Sequence, residues 1–399
     1  MERAKEHVVI RGYGAISPLG YDIRSTSQSY VNGKPVFTYV QHGGRPTPVA
    51  TLSAGAESQL QQLVLQNPNY HQLDRSVLLA IFAARQAVIQ AGWTYNQSES
   101  REDLAVNVGS SRGATGLTEQ HFEAYQQGTL SPTASPTTTL GNLSSWVAHA
   151  VQAGGAQISH SITCSTALMA IANGVAWLRA GMAQRFLAGG TEAPLTNFTI
   201  AQMKAIGIYS TLWDQPFPCQ PYGTSGQNTF MLGEGAAVLA LEKVPSAQLE
   251  KGSVIIEAVG FGFEQIKSKT GISAEGLNFQ QAMRQAISQL PLHDQSVDVI
   301  ITHSPGTRAG DKAELSAIQA LFQDNIPSIT TNKHLLGHTL GSSGALSVQY
   351  ALHLFEQQSI VYPGYSSILQ KCPPHTINRI LVNAAGFGGN AASLVLSMI

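Results

Sequence analysis

A thiol, two imidazoles and a glycine-rich turn are the groups in this 399-residue chain whose types could do chemistry together. Cys164 stands where an apolar run, Ile158–Thr163, meets a helical run, Ser165–Arg179, so its sulfur is predicted to face a helix N-terminus. Free N–H groups and the positive end of the helix dipole favour an anion there, and the thiolate rather than the thiol is the nucleophile. A cysteine beside apolar residues fits inert core packing equally well, so Cys164 alone decides nothing. His303 follows the strand-like run Val297–Thr302, and His338 lies in the loop Lys333–Gly341, just before a helix start. Strand ends and loops of α/β proteins carry reactive groups, and a thiol with two imidazoles suits acyl or carbanion chemistry. Near the C-terminus, Asn383 to Gly389 reads as a strand end followed by a turn containing Gly386, Gly388 and Gly389. Such glycines let backbone N–H groups approach a bound carbonyl.

Residues so far apart in sequence need a scaffold to bring them together. Leu168, Ile171, Val175 and Leu178 recur at helical spacing after Cys164, which predicts a helix buried along one face and a rigidly placed start. Val8–Ile10 reads as a buried strand followed by Gly12, Gly14 and Gly20. Ser253–Val259, followed by Gly260 and Gly262, repeats that character and suggests a duplicated unit. Helical runs at 75–92, 165–179, 278–289, 312–322 and 342–357 alternate with strand-like runs at 104–108, 185–188, 236–241, 297–302 and 380–383. This alternation indicates α/β layers. The expected division is residues 1–250, carrying the thiol, and 251–399, carrying both histidines. The Ser/Thr/Pro-rich stretch 131–139 is expected to be an ordered loop.

Composition bounds the class. The chain is 43% hydrophobic and only 12% charged, with 38 glycines, so much surface is expected to be buried, between subunits as well as within them. A net charge of −1 gives no electrostatic case for nucleic acid or an anionic membrane. Cys164, Cys219 and Cys372 lack paired or CxxC spacing, which argues against a disulfide framework and a zinc site. No signal-peptide pattern opens the chain and no apolar run reaches membrane-spanning length, so a cytoplasmic enzyme without membrane insertion is expected.

Together these segments resemble the β-ketoacyl-[acyl-carrier-protein] synthases, decarboxylating condensing enzymes of the thiolase superfamily, from Val8 to Leu396. The resemblance is carried by the opening segment up to Gly20, Cys164 with Leu187–Ala193, Gly233–Ala236, His303 with Asp311 and Glu314, Lys333 with His338, and Gly386–Gly389. It implies a duplicated five-layer α-β-α-β-α fold in which the helices after Cys164 and Gly341 are counterparts. It also implies a Cys164–His303–His338 triad, an oxyanion hole from the N–H groups of Cys164 and Phe387, and an acyl gate of Phe387 with Phe230 opposite. Lys333 and Glu314 are then a supporting ion pair. No metal or resident cofactor is implied, since 4'-phosphopantetheine arrives on the acyl carrier protein that delivers the acyl and malonyl thioesters. A homodimer is expected, with residues 131–143 reaching the partner's acyl pocket.

Some residues depart from the family pattern. Pro305 replaces one of two threonines expected to hold the pantetheine arm, leaving Thr307 and, as a substitute, Ser304. Asn390-Ala391 stands where Thr-Asn is usual, and Pro221–Gln227 lacks an expected Asp and Arg. His71-Gln72 replaces basic residues expected to meet the acidic carrier. An unusual acyl chain, as in a pigment or polyene pathway, would suit these changes. Three other readings remain open. Gly109-Ser110-Ser111-Arg112-Gly113 matches the G-x-S-x-G pattern of serine hydrolases. A non-catalytic chain-length partner of a synthase would lack the thiol and histidines present here. A biosynthetic thiolase would need a second catalytic cysteine, whereas Cys372 lies outside any glycine-rich turn.

Overall fold

The computed structural model describes residues 6–93, 100–265, 272–369 and 373–399. Its strands are β1 (Glu6–Ile16), β2 (Thr38–His42), β3 (Arg45–Val49), β4 (Leu104–Gly109), β5 (Gln157–Ile158), β6 (Arg185–Glu192), β7 (Gly235–Pro245), β8 (Val254–Phe263), β9 (Val299–Ile301), β10 (Ser328–Thr330), β11 (Arg379–Gly386) and β12 (Asn390–Met398). β2 and β3 form a separate hairpin. The others form one sheet, in the order β10-β9-β11-β12-β8-β1-β7-β6-β4-β5 among the described residues.

That order is one five-strand pattern written twice. From the centre outward, β1, β7, β6, β4 and β5 correspond to β8, β12, β11, β9 and β10. In both sets the first two pairings are antiparallel and the last two parallel. The sets meet through a short antiparallel pairing, Val8 with Ile256 and Val9 with Ile255.

Strands buried on both faces need a helix layer on each side. Helices Thr166–Ala180 and Ser343–Gln357 lie between the two halves of the sheet and contact strands of both. Their apolar residues, among them Leu168, Ile171, Leu346 and Leu354, share one core with Leu239, Ile301 and Leu394. Helices Arg75–Gln90 and Asn142–Val151 cover the outer face of the first half; Leu277–Ile287 and Arg308–Phe322 cover that of the second. This is the five-layer, thiolase-like α-β-α-β-α fold.

Two sequence expectations are corrected. The strand predicted over Ile158–Thr163 ends at Ile158, because the segment turns away to make an elbow. Residues 131–139, expected as a loop, contain the short helix Ala134–Thr138. Cys372 lies outside the described residues. Among the described residues, no helix is long and apolar enough to cross a membrane.

Candidate active site

The elbow before the nucleophile candidate is held by side chains rather than by the sheet. His160 bonds Asn107 Oδ1 at 3.0 Å through Nδ1 and the Thr166 carbonyl at 3.2 Å through Nε2. Thr163 adopts a left-handed φ of 49°, which is unfavourable by about 1–3 kcal/mol for a β-branched residue and persists only where the surroundings enforce it. Thr166 Oγ1 supplies that constraint by donating to the Thr163 carbonyl at 2.6 Å and accepting from Ile162 N at 2.9 Å. Thr163 Oγ1 in turn donates to the Phe387 carbonyl at 3.3 Å. Cys164 follows, 8% exposed, immediately before the helix Thr166–Ala180, whose Leu168, Ile171, Val175 and Leu178 are buried as their spacing predicts.

The resting thiol is not the stabilised thiolate the sequence suggested. Burial and, after it, nearby Glu192 push it up to about 12 against the opposing charges of Arg112 and Lys333. Cys164 therefore rests protonated.

His303 and His338 are fixed through their backbones. Glu314 accepts from His303 N at 2.9 Å, Ser304 N at 2.8 Å and Asn383 Nδ2 at 3.1 Å. His338 N donates to the Met231 carbonyl at 2.7 Å, and the His338 carbonyl accepts from Gly233 N at 3.1 Å. The two imidazoles meet edge to face, with centroids 5.2 Å apart. Among the described residues, neither ring nitrogen of His338, nor Nδ1 of His303, has a hydrogen-bond partner. Burial and the Lys333 charge push His303 down to about 3. Burial, His303 and Lys333 push His338 well below its ordinary value. Both rings are consequently neutral near pH 7, each with one N–H to donate and one nitrogen lone pair.

Opposite them, the turn between β11 and β12 touches the elbow. A Cβ on Gly386 would overlap the Thr163 hydroxyl and stand 3.0 Å from Cys164 N, and Gly388 and Gly389 have φ of 103° and 82°. Phe387, 43% exposed, stands between two cavities. The smaller, about 290 Å³, is lined by Cys164, His303, His338, Pro305, Thr307 and Phe387 among others. The larger, about 1040 Å³, is lined by Cys164, Ser111, Arg112, Phe122, Phe198 and Phe387 among others.

The family model for the β-ketoacyl synthase N-terminal domain matches residues 5–247, and that for the β-ketoacyl synthase C-terminal domain matches residues 254–363. This chain belongs to the β-ketoacyl synthase family. It is 27% identical to 3-oxoacyl-[acyl-carrier-protein] synthase 2 of Coxiella burnetii over 415 residues, covering 99% of each protein. Among solved structures it is similar to the ishigamide ketosynthase/chain length factor (TM-score 0.85, 22% identity, covering 99% of this chain and 100% of that one). It is also similar to a type II PKS acyl-carrier protein in complex with its ketosynthase bound to the hexaketide (TM-score 0.84, 19% identity, all of both chains covered). As a β-ketoacyl synthase, the chain is an acyltransferase-class condensing enzyme, and a purely non-catalytic chain-length partner is not favoured.

The geometry of this synthase revises several residue expectations. Lys333 and Glu314 do not form a direct ion pair, because the Glu314 oxygens are taken by two backbone N–H groups and Asn383. Lys333 Nζ lies instead 3.4 Å from Asn332 Oδ1 and 3.3 Å from Ser347 Oγ. The two still interact through the field, which partly offsets the burial that lowers Lys333 to about 8. Phe230 lines the smaller cavity together with Phe387. It is a buried wall there, edge to face with His338 at 5.5 Å and Tyr209 at 6.0 Å. Ser304 is fully buried with its hydroxyl 2.8 Å from that of Thr302, away from the cavity. Thr307 does line the cavity, while its Oγ1 accepts from Gly310 N at 3.3 Å as the N-cap of helix Arg308–Phe322.

The G-x-S-x-G segment is a carboxylate cradle. Glu192 accepts from Ser110 Oγ at 2.7 Å and from the backbone N of Ser111 at 2.8 Å, Arg112 at 3.2 Å and Gly341 at 2.8 Å. Ser111 lines the larger cavity and His338 the smaller, so no hydrolase pair forms. Sequence reasoning gave no role to Glu192, Arg112 or Asn390, the last noted only as a departure from the family pattern. Glu192 was already visible at the end of the Gly189-Gly190-Thr191 run. Asn390 links the turn to the elbow, since its Nδ2 donates to the Phe387 carbonyl at 3.2 Å and its Oδ1 accepts from Ser165 Oγ.

Proposed function

We propose that Cys164 carries the acyl chain, that His303 and His338 act on the malonyl unit, and that the two cavities separate the two substrates. The carrying observation is that Cys164 lines both cavities, whereas both histidines line only the smaller one. In the first half-reaction Cys164 Sγ bonds to the acyl carbon while that carbon's bond to the pantetheine sulfur breaks. The thiol proton leaves with the departing pantetheine thiol. A neutral imidazole nitrogen accepts that proton in transit, and the N–H groups of Cys164 and Phe387 stabilise the tetrahedral oxyanion.

In the second half-reaction the malonyl carboxyl leaves as CO₂, and its bonding electrons form a thioester enolate. Imidazole N–H donors from His303 and His338 stabilise the enolate oxygen, a role the neutral rings fill with one N–H each. The enolate carbon then bonds to the acyl carbon and the bond to Cys164 breaks. One proton from solvent restores the thiol, giving a 3-oxoacyl thioester on the carrier.

The Thr307 hydroxyl, its proton still free to donate, is the pantetheine contact. Lys333 and Glu314 are positioning residues, Glu314 by holding the His303 backbone. Phe387 alone is the gate between cavities. The halves 1–250 and 251–399 each repeat one topological unit. An acyl carrier protein as partner is supported by the solved complex of a related ketosynthase with its carrier. A homodimer is supported by helix Thr115–Gln126, which has no buried residue and exposes Tyr125 together with Phe122, the latter lining the larger cavity. The free thiols Cys164 and Cys219 suit a reducing, cytoplasmic setting.

Intact-mass measurement after incubation with acyl carrier thioesters tests the central assignment. A single acyl adduct is expected on the native protein and none on Cys164→Ala. An adduct that survives in Cys164→Ala, or activity lost in Ser111→Ala instead, would overturn it. A monomer by light scattering at micromolar concentration would overturn the dimer.

A further inference from the structure

The larger cavity contains a cation that the condensation does not use. Arg112 lines it together with Cys164, His42, Glu119 and Glu123. Its backbone N is fixed to Glu192, and its Nη1 donates to Gln202 Oε1 at 2.6 Å. Among the described residues its Nε is buried without a hydrogen-bond partner and no ion pair involves it.

The cavity is open to solvent, so with one neutral side-chain acceptor the Arg112 guanidinium depends on water for its remaining hydrogen bonds. A saturated alkyl chain would leave them unmade, because it would displace water from the cation and offer no acceptor. A chain ending in a carboxylate meets the opposite difficulty. Glu119, whose Oε1 is likewise buried and unpartnered, shares the cavity with Glu123 and would repel it. A neutral oxygen satisfies both constraints. A keto oxygen accepts from the guanidinium, and a hydroxyl accepts there while also being able to donate to a carboxylate.

We propose that Arg112 is a specificity-determining residue that selects acyl chains bearing a neutral keto or hydroxyl oxygen over saturated chains of the same length. This selectivity presupposes the larger cavity to be the acyl site, as proposed above. The Arg112 charge also acts on the Cys164 thiol, opposing the effect of burial, so the two groups are close enough to interact with one bound chain.

Acyl loading of Cys164 tests this. Hexanoyl-pantetheine is compared, by intact mass over time, with analogues carrying one keto or one hydroxyl oxygen along the chain. A hydrogen bond to a charged donor predicts that at least one oxygenated analogue loads about tenfold or more faster than hexanoyl. In Arg112→Met that ratio is expected to fall close to one. Should Arg112→Met fail to fold, Arg112→Lys, which keeps the charge but loses the planar fork, is expected to lower the ratio about threefold. Equal loading of hexanoyl and both analogues by the native enzyme, or a ratio unchanged in the variant that folds, overturns the assignment to Arg112. Absence of any adduct with all three thioesters refutes the acyl-carrying role of Cys164 itself, and the selectivity with it.

Discussion

Gly386→Ala probes the contact on which the proposed oxyanion hole depends. The added Cβ would overlap the Thr163 hydroxyl and would stand 2.9 Å from Thr163 Cβ and 3.0 Å from Cys164 N. Rotating the Thr163 side chain relieves the first clash but breaks its hydrogen bond to the Phe387 carbonyl, at a cost of about 1 kcal/mol. The other two contacts fall a few tenths of an ångström short of ordinary packing. They involve the elbow's own atoms, so Cys164 N and the turn must separate by roughly half an ångström. Overpacking of this kind costs about 1–3 kcal/mol. Moving one oxyanion donor out of register is expected to slow acyl transfer on the order of 100-fold. Urea denaturation gives the first quantity, and the rate of acyl loading from an acyl-pantetheine, followed by intact mass, gives the second. Thr163→Ala in the Gly386→Ala background removes the worst overlap and should recover part of the rate. Loading by Gly386→Ala within threefold of the native enzyme would refute the reasoning, since the turn would then tolerate a side chain where the structure leaves no room.

Asn390→Ala removes both hydrogen bonds linking the turn to Ser165 and Phe387; a loss of about 1–2 kcal/mol in urea and about tenfold in loading rate is expected. Lys333, lowered to about 8, loses its charge as pH rises through that value. Condensation should therefore show an alkaline limb near pH 8 that Lys333→Met lacks, and a limb retained in the variant would assign it elsewhere. His334 is lowered by burial to about 4 in the folded chain, against about 6.5 unfolded. Its contribution to stability is complete above about 6.5 and is lost as pH falls towards 4. Glu192 and Asp311, raised by burial to about 7, act in the opposite direction, so the total is uninformative and the difference between proteins is the measurement. Between pH 7 and 5 the native protein should lose about 2 kcal/mol more than His334→Gln. Parallel urea stability curves would contradict the assignment.

The sequence carried the site better than its wiring. Cys164, His303, His338 and Gly386–Gly389 were legible because each lies at an element end and the types suit one reaction. The strand expected before Cys164 was misread because Ile158–Thr163 has the composition of a strand, while its conformation is set by Asn107, Thr166 and Phe387, one of them more than 200 residues away in sequence. Local composition cannot report such contacts. The Lys333–Glu314 pair failed for a related reason: opposite charges suggest a bridge, yet two backbone N–H groups of the His303 loop already occupy the carboxylate. Ser304 was chosen for its hydroxyl, but the alternation of directions along the chain turns that hydroxyl inward to Thr302. Arg112 was hidden inside a short motif read for its serine.

The duplication bears on why the proposed nucleophile lies in one half only. Thr163, with φ 49°, leads into Cys164 and the helix Thr166–Ala180, and Leu340, with φ 42°, leads into Gly341 and the helix Ser343–Gln357. The same left-handed elbow thus precedes both central helices, and Gly341 is the positional counterpart of Cys164. A side chain there would strike the Ser111 backbone and Glu192, since Gly341 N is committed to the buried Glu192 carboxylate at 2.8 Å. One elbow is left open to both cavities, while its twin is closed on a carboxylate that braces the cavity wall bearing Arg112. In the proposed mechanism the second half therefore needs no nucleophile of its own and supplies the two histidines, from the segments following β9 and β10, to the thiol of the first.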